Sequence, residues 1–308
     1  GEFTELVKKA KEKGYETVVC DGYADGIART YADKAYTIPV TDVDAIALMC
    51  REEGVDGIIT SFSDLLLECM VKIADKAGLP CYLKPEQLPW YRDKSETRAL
   101  LRKLELPTPG FRKIPTAVLE DPDRKSRLKE RLKGLRYPVV SKPLDKYGSR
   151  GIYISENLDE LIEASQKTAE FSDMPEILVE EYNDGYEFNM MTWVLDGQVH
   201  VISIADREKT SVAKGEIPIS TRNVYPSRLM AKVERPATEL LQAYIEKTGQ
   251  KDGALSMQFF WKPGEGIQVC EIAARFFGYE HELTDIVYGF NMEELLLASL
   301  YDRTKLQK

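Results

Sequence analysis

Apolar runs and helical periodicity alternate over the first 90 residues. Short apolar runs predict strands, and longer stretches with apolar positions three and four residues apart predict helices. The strands are expected at 17–20, 35–40, 55–62 and 79–83, and the helices at 43–53 and 64–77. This alternation predicts a parallel sheet covered by helices. Asp21, Ser61 and Ser63 follow strands and so lie at the expected binding edge, although capping the next helix is their favoured role.

The pattern changes near residue 90. A charged helix is predicted from 93 to 104, and it ends before the Pro-rich segment 106–110. A small α+β lobe follows, in which strands at 137–143 and 151–155 are joined by a loop of seven residues. A helix is then predicted from 157 to 171.

Hairpin signals dominate the remainder of the chain. Asp196-Gly197 separates two runs of alternating apolar and polar residues, and a Pro-Gly-Glu-Gly turn at 263–266 separates another two. The strands are predicted at 176–182, 186–195, 198–205, 254–261 and 267–273, with a long helix at 229–248. We therefore expect an α/β fold followed by an α+β fold. It consists of a parallel-sheet domain over 1–90, a small lobe with its linker helix over 91–173 and a large lobe over 174–308.

Composition narrows the classes of function. The 308 residues are 43% apolar and 30% charged, which is enough for a buried core and excludes global disorder. With 42 Lys and Arg against 51 Asp and Glu, the net charge is −9, which argues against a nucleic-acid partner held by phosphate neutralisation. No apolar stretch approaches the length of a membrane span, and the N-terminus has no signal-peptide pattern.

Cysteine and histidine usage argues against two kinds of metal site. The five cysteines include no Cys-x-x-Cys pair and lie mostly in apolar runs, so we expect reduced thiols and a cytoplasmic protein. The two histidines are His200 and His281. A His-rich metal site and a zinc site of clustered Cys and His are therefore not expected.

A lysine and a Gly-rich loop stand between the two predicted strands of the small lobe. Lys142 lies near the end of the first strand, and Gly148, Ser149 and Gly151 follow. Glycines let backbone N–H groups approach an anion closely, and Lys142 adds a positive charge at the base of the loop. The loop is not the usual P-loop, because no Gly-Lys-Ser/Thr precedes a helix. By itself the pattern is more typical of an ordinary hairpin loop.

Carboxylates surround the turn that follows the strand 176–182. Glu180 and Glu181 lie near the end of that strand, the chain turns at Asp184-Gly185, and another carboxylate follows at Glu187. Backbone groups at a strand end can bind the edge of an adenine, and a carboxylate can accept both ribose hydroxyls. Solvated turn carboxylates are the favoured interpretation when the segment is taken alone.

Two oxygen-bearing side chains occupy the strands of the last predicted hairpin. Gln258 and Glu271 flank its turn, and two oxygen ligands with open positions suit Mg²⁺. Arg275 follows four residues later and can contact a transferring phosphoryl group. For Glu271, a functional and a structural role are weighted equally. Lys94, taken alone, is an ordinary lysine at the start of a helix.

Taken in order, these segments resemble the ATP-grasp superfamily. The ordered features are a lysine at a helix start, Pro-Thr-Pro, a lysine before a Gly-Ser-Arg-Gly loop, Glu-Glu at a strand end, a further glutamate, and Gln, Glu and Arg. The chain is similar to the branch with carbamoyl-phosphate synthetase large-subunit halves and ATP-dependent carboxylate–amine ligases. The resemblance covers nearly the whole chain and implies a pre-ATP-grasp α/β domain followed by two lobes that grip ATP.

The resemblance implies roles in nucleotide binding. Lys94 and Lys142 would contact the phosphates, and the loop with Lys146, Gly148, Ser149 and Gly151 would fold over them as a lid. The adenine hinge would be formed by Glu180, Glu181, Tyr182 and Asn183, and the ribose would be bound by Glu187.

The resemblance also implies a metal site and catalytic groups. Gln258 and Glu271 would hold Mg²⁺, with Mn²⁺ as the alternative, and Lys142 and Arg275 would be catalytic. A Gln at the first metal position resembles the synthetase halves rather than the ligases. Ala273 departs from the family, because an asparagine commonly stands there as a further metal ligand, and this puts the number of bound metals in doubt.

The family reaction converts a carboxylate into an acylphosphate with ATP, and an amine then displaces phosphate. We therefore expect a ligase that acts on a small-molecule carboxylate and an amine. Arg207, Arg222 and His281 are candidates for substrate contacts, although surface loop charges are favoured for the arginines. Two alternatives stay open: a half-enzyme that forms carbamoyl phosphate, and a nucleotide-binding regulator without chemistry. Family members often form homodimers, but the sequence carries no interface signal.

Overall fold

A computed structural model describes residues 3–60, 62–144, 150–210, 217–278, 281–301 and 306. Its first unit contains a parallel pair of strands, β1 (Val18–Asp21) and β2 (Lys34–Thr37), with helices α1 (Thr4–Glu12), α2 (Val43–Glu52) and α3 (Asp64–Ala77). The Ser63 hydroxyl accepts a hydrogen bond from the Leu66 N–H at the start of α3, and Gly78 ends the helix with φ 74°. Both helices that were predicted in this unit are confirmed.

The parallel sheet expected here is present only in part. The described residues of 55–62 and 79–83, which we predicted as strands, do not form strands. Several of their apolar side chains still reach the core, since the partly buried Val55 packs on the cluster between α2 and α3, while Phe62 and Leu83 join two further core clusters. A short apolar run can be buried against helices as well as within a sheet, so its pattern alone does not determine a strand.

The linker and the small lobe follow. They contain α4 (Pro89–Arg92), α5 (Lys94–Lys103), β3 (Phe111–Pro115), α6 (Thr116–Glu120), α7 (Arg124–Arg131), β4 (Val139–Pro143), β5 (Tyr153–Ser155), α8 (Leu158–Glu170) and β6 (Glu176–Glu181). The strands form an antiparallel sheet in the order β3-β6-β4-β5. We assigned β6 to the large lobe, and this was wrong, because its backbone hydrogen bonds go to β3 and β4. The strand β3 was not predicted, since its buried residues Phe111 and Ile114 are three positions apart.

The large lobe is built on a five-stranded antiparallel sheet in the order β11-β10-β7-β8-β9. Its elements are β7 (Tyr186–Leu195), β8 (Gln198–Lys209), β9 (Ser220–Val224), α9 (Met230–Thr248), β10 (Gly253–Lys262), β11 (Gly266–Ala273), α10 (His281–Tyr288) and α11 (Met292–Tyr301). The hairpin at Asp196-Gly197 is confirmed, and both residues have the positive φ, 51° and 78°, that a two-residue hairpin turn favours. The strand β8 runs four residues beyond its predicted end and so includes Arg207 and Lys209.

The main hydrophobic core joins all three units. Leu67 of α3, Leu101 of α5, Phe188 of β7 and Leu241 of α9 belong to one buried cluster. This continuity fixes the linker helix α5 against the large-lobe sheet. We call the place where α5 meets β6 of the small lobe and β11 of the large lobe the cleft. In the part of the chain that the structure describes, no helix is long and apolar enough to cross a membrane.

Candidate functional site

A buried ion cluster lies where the small lobe meets the linker helix. Glu180 of β6 contacts Lys142 of β4 and Arg98 of α5. Arg98 Nε donates a hydrogen bond to Glu180 Oε1 at 2.5 Å, and the Lys142 ammonium donates to Glu180 Oε2. We call Arg98, Lys142 and Glu180 the front cluster. With two cations and one anion, it presents a net positive charge at the cleft.

Burial and neighbouring charge act in opposite directions on Glu180. The residue is 1% exposed, and burial by itself raises the pKa of its carboxyl group. The charges and hydrogen bonds of Arg98 and Lys142 outweigh burial and lower that pKa to about 2. Glu180 is therefore ionised at neutral pH and holds both cations in place.

A β-bulge in β11 determines which side chains reach the cleft. Gln258 of β10 pairs with Glu271, but the next residue, Phe259, pairs with Val269, so Cys270 is the extra residue. Val269 and Ile272 belong to the main core, and Cys270 and Glu271 line a cavity beside α5 that Ile272 also borders. Regular alternation would place Glu271 on the same face as Val269, so the bulge is what directs this carboxylate away from the core.

Lys94 and Glu271 lie in one electrostatic neighbourhood. Lys94 and Arg98 are four residues apart on α5, and both line the same cavity of about 20 Å³ as Glu271. Burial lowers the pKa of Lys94, the Glu271 carboxylate opposes that effect, and the Lys142 ammonium adds to it. The two lysines and the carboxylate, predicted from separate parts of the sequence, are therefore brought together.

A second cluster lies on the large-lobe sheet. The carboxylate of Glu187 accepts hydrogen bonds or ion-pair contacts from Arg207 Nη1 at 2.9 Å, Lys209 Nζ at 3.1 Å and Gln258 Nε2 at 2.5 Å. We call Glu187, Arg207, Lys209 and Gln258 the rear cluster. Arg207 and Lys209 lie in strand β8, half-buried, so the interpretation of Arg207 as a surface loop charge was wrong. The strand pairing places Arg207 directly opposite Glu187.

The predicted metal pair is adjacent in the sheet. Gln258 is the register partner of Glu271 on one side and of Asn189 on the other. Since the amide nitrogen of Gln258 donates to Glu187, its amide oxygen is the atom available to a cation. Among the described residues, no three His, Cys, Asp or Glu side chains form a group that could hold a metal. Two oxygen donors fit Mg²⁺, which takes its remaining ligands from water and phosphates.

The predicted hinge residues face different directions. Glu181 points away from the front cluster and accepts hydrogen bonds from the Arg136 backbone N–H at 3.0 Å and its guanidinium at 3.1 Å. The Tyr182 N–H donates to the Pro138 carbonyl at 2.9 Å. The Asn183 side-chain nitrogen donates a hydrogen bond to Gln268 at 2.7 Å, and its oxygen accepts one from the Gly185 N–H at 2.8 Å. These bonds shape the turn between the lobes.

One of the four predicted lid residues can be located. Gly151 has φ 70°, and a Cβ there would approach Phe171 to 2.8 Å, so only glycine fits this position. Lys146, Gly148 and Ser149 lie outside the described residues.

Arg275 is held by a residue that the sequence did not point to. Its Nε and Nη2 atoms contact the two carboxylate oxygens of Asp64 at 2.8 Å and 2.6 Å. Asp64 begins α3 of the first unit, and we assigned it only to that helix. The bidentate geometry fixes the guanidinium plane four residues beyond Glu271. The sequence did not predict this ion pair, because 211 residues separate Asp64 from Arg275.

The other two substrate candidates occupy different surroundings. Arg222 of β9 is exposed and forms an ion pair with Glu208. His281, at the start of α10, is 8% exposed, contacts Glu293 at 2.5 Å and stacks on Phe62 with ring centroids 5.0 Å apart. Neither contacts the front or the rear cluster through any described interaction.

Two comparisons of the sequence with known proteins found matches. A family model described as an ATP-grasp domain matches residues 135–282. The N-terminal section of the carbamoyl phosphate synthase large chain of Methanopyrus kandleri is 24% identical over 271 residues, which cover 83% of this chain and 45% of that protein. The chain thus spans less than half the length of this relative.

Solved structures share the architecture over almost the whole chain. The L-amino acid ligase from Bacillus licheniformis superposes with a TM-score of 0.75 at 21% identity, covering 97% of this chain and 72% of that one. A biotin carboxylase–ATP complex from Campylobacter jejuni has a TM-score of 0.76 at 19% identity, covering 97% of this chain and 69% of that one. At these identities the likeness establishes the fold.

Proposed function

We propose that this chain is an ATP- and Mg²⁺-dependent ligase, since a family model described as an ATP-grasp domain matches residues 135–282. It would activate a small-molecule carboxylate as an acylphosphate for attack by an amine. A carboxylate oxygen attacks the γ-phosphorus while the bond to ADP breaks. The amine nitrogen then attacks the acyl carbon, and inorganic phosphate leaves with the acyl–oxygen electron pair.

The observation that carries this proposal is that Lys94 and Glu271 line one cavity and that Lys142 is near enough to lower the pKa of Lys94. Phosphoryl transfer depends mainly on positioning and on neutralising the charge of the phosphate oxygens. Lys94 and Lys142 supply ammonium groups from the linker and the small lobe. Glu271 and Gln258 would hold Mg²⁺, which supplies further charge neutralisation at the phosphates.

The remaining residues would bind and orient the nucleotide. We propose that the segment 180–183 binds adenine, that Glu187 binds the ribose and that the loop with Gly151 covers the phosphates. Arg275, fixed by Asp64, would contact the transferring phosphoryl group. Arg207 would reach the nucleotide side of the cleft rather than a separate substrate pocket, because it shares Glu187 with Lys209 and Gln258.

A second candidate function rests on the metal pair and on the curated relative. Gln258 as the first metal residue resembles the synthetase halves, and the match to the carbamoyl phosphate synthase large chain covers 83% of this chain. In this alternative the phosphate acceptor is bicarbonate or carbamate. The L-amino acid ligase from Bacillus licheniformis supports an amino acid as the acceptor instead.

Release of ADP tests the proposal and separates these acceptors. With Mg-ATP, we expect wild-type ADP release to depend on an amino acid or another small carboxylate, and a dependence on bicarbonate alone would favour the second candidate. Lys142→Ala and Glu271→Ala should each lower the rate at least about a hundredfold, which is the usual effect of removing one contact to a developing charge. Folding is checked by circular dichroism.

Two exposed residues provide matched controls, a lysine for Lys142 and a glutamate for Glu271. Lys113 lies on the edge strand β3 and forms an ion pair with Glu176 of β6. Glu265 lies in the turn between β10 and β11. Lys113→Ala and Glu265→Ala should leave ADP release unchanged. Wild-type turnover by folded Lys142→Ala or Glu271→Ala protein would rule out the proposed function.

A further inference from the structure

Arg98 joins three parts of the molecule. It lies on the linker helix α5 and is only 3% exposed. Its Nε atom contacts Glu180 of the small lobe at 2.5 Å, and its Nη2 atom donates to the carbonyl of Cys270 in the large lobe at 2.7 Å. One guanidinium therefore spans the cleft at its base.

Each contact of Arg98 leads to a residue of the proposed nucleotide site. Glu180 also holds the Lys142 ammonium, and Cys270 is the bulge residue that directs Glu271 into the cleft. We propose that Arg98 is a positioning residue, which sets the position of Lys142 relative to Glu271 without itself touching the nucleotide. This inference rests on the proposed function, because it assumes that both residues serve one ligand.

The chemistry of arginine suits this task. Its planar guanidinium can hold a carboxylate and a carbonyl at once in fixed directions, whereas a lysine ammonium on a flexible stem keeps the charge but not that geometry. The charged groups around the Arg98–Glu180 ion pair are Lys142 from β4, Lys94 from the same helix as Arg98 and Glu271 from β11. The ammonium groups of Lys142 and Lys94 would repel each other. The position of Lys142 therefore depends on its contact with Glu180, which Arg98 holds in place.

The test measures binding of a non-hydrolysable Mg-ATP analogue by the whole chain. Arg98→Met removes one cation and the bond to the Cys270 carbonyl but leaves Glu180 paired with Lys142, so the remaining pair is balanced in charge. We expect Arg98→Met to bind the analogue at least about tenfold more weakly than wild type, the loss typical of an orienting partner. Arg98→Lys should recover part of the affinity.

A buried hydrogen bond just before the linker provides the control. Gln87 donates to the Thr248 carbonyl at 2.9 Å and touches neither cluster through any described bond. Gln87→Met should lower the melting temperature while leaving the affinity for the analogue unchanged. If folded Arg98→Met protein binds the analogue as tightly as wild type, Arg98 has no positioning role.

Wild-type protein separates the two levels of inference. Failure of wild type to bind the analogue would overturn the proposed function, and the role of Arg98 with it. Tight wild-type binding together with wild-type affinity in Arg98→Met would overturn only the role of Arg98.

Discussion

The front and rear clusters are built from the same kinds of residue but are placed differently. In each, one glutamate contacts two cations. Glu180 is 1% exposed and its partners come from two different elements, the linker helix α5 and the small-lobe strand β4. Glu187 is 8% exposed and its partners lie within one sheet, on β8 and β10.

This difference assigns the two carboxylates different tasks. Water cannot replace a lost partner at Glu180, so the front cluster fixes the relative placement of linker and small lobe. The cations of the rear cluster are 16% and 21% exposed, so a bound ligand or water can take over part of their interaction with Glu187. We infer that the front cluster sets the geometry of the cleft and the rear cluster adapts to its contents.

The largest difference in stability should come from removing each glutamate in turn. Glu180→Ala leaves Arg98 and Lys142 without an anion, and we expect a loss of about 3–5 kcal/mol in the free energy of unfolding. Glu187→Ala should cost about 1–2 kcal/mol, because Arg207 and Lys209 can gain hydration. Urea unfolding of both variants measures the contrast. Equal losses would show that burial does not distinguish the clusters.

Acid should weaken the front cluster in a defined range. The pKa of Glu180 is lowered from 4.5 to about 2, so the folded state favours the ionised form, and the stability it adds is complete above 4.5 and is lost as the pH falls through 2. The full contribution is about 3 kcal/mol, and about half of it should be gone at pH 3. Unfolding in urea from pH 7 to pH 3 tests this, with Glu180→Gln as the control.

The control variant cannot titrate at position 180. The stability gap between wild type and Glu180→Gln should therefore narrow as the pH falls. A gap that stays constant down to pH 3 would mean that Glu180 is not ionised and ion-paired in the folded protein.

The smallest effect is expected at Arg222. Its ion pair with Glu208 is exposed to solvent and lies in neither cluster. Arg222→Ala should shift the melting temperature by less than about 2 °C, since exposed ion pairs add little to stability. A larger shift in a thermal scan would show that this edge of the sheet contributes more than its exposure suggests. Arg207→Ala, from the rear cluster, serves as the comparison.

Local patterns predicted the hairpins well and the first unit less well. Asp196-Gly197 carries its own turn geometry, so the strands on either side followed from a few neighbouring residues. The run 55–62 carries only apolarity, and distant contacts determined that its described residues pack without strand pairing. Arg98 was overlooked because it lies in a charged helix, although its spacing of four from Lys94 was a usable signal.

By itself, the sequence determined which residue types occur in which order and where most strands and helices form, since these depend on neighbours within a few positions. It was enough to identify Lys94, Lys142, Gln258 and Glu271 as candidates. Only the tertiary structure determined that Glu180 accepts a hydrogen bond from Lys142 and that Asp64 holds Arg275. It also showed that the bulge at Cys270 directs Glu271 into the cleft. The physical reason is that buried ion pairs and strand register join residues far apart in the chain, and no local pattern encodes such a pairing.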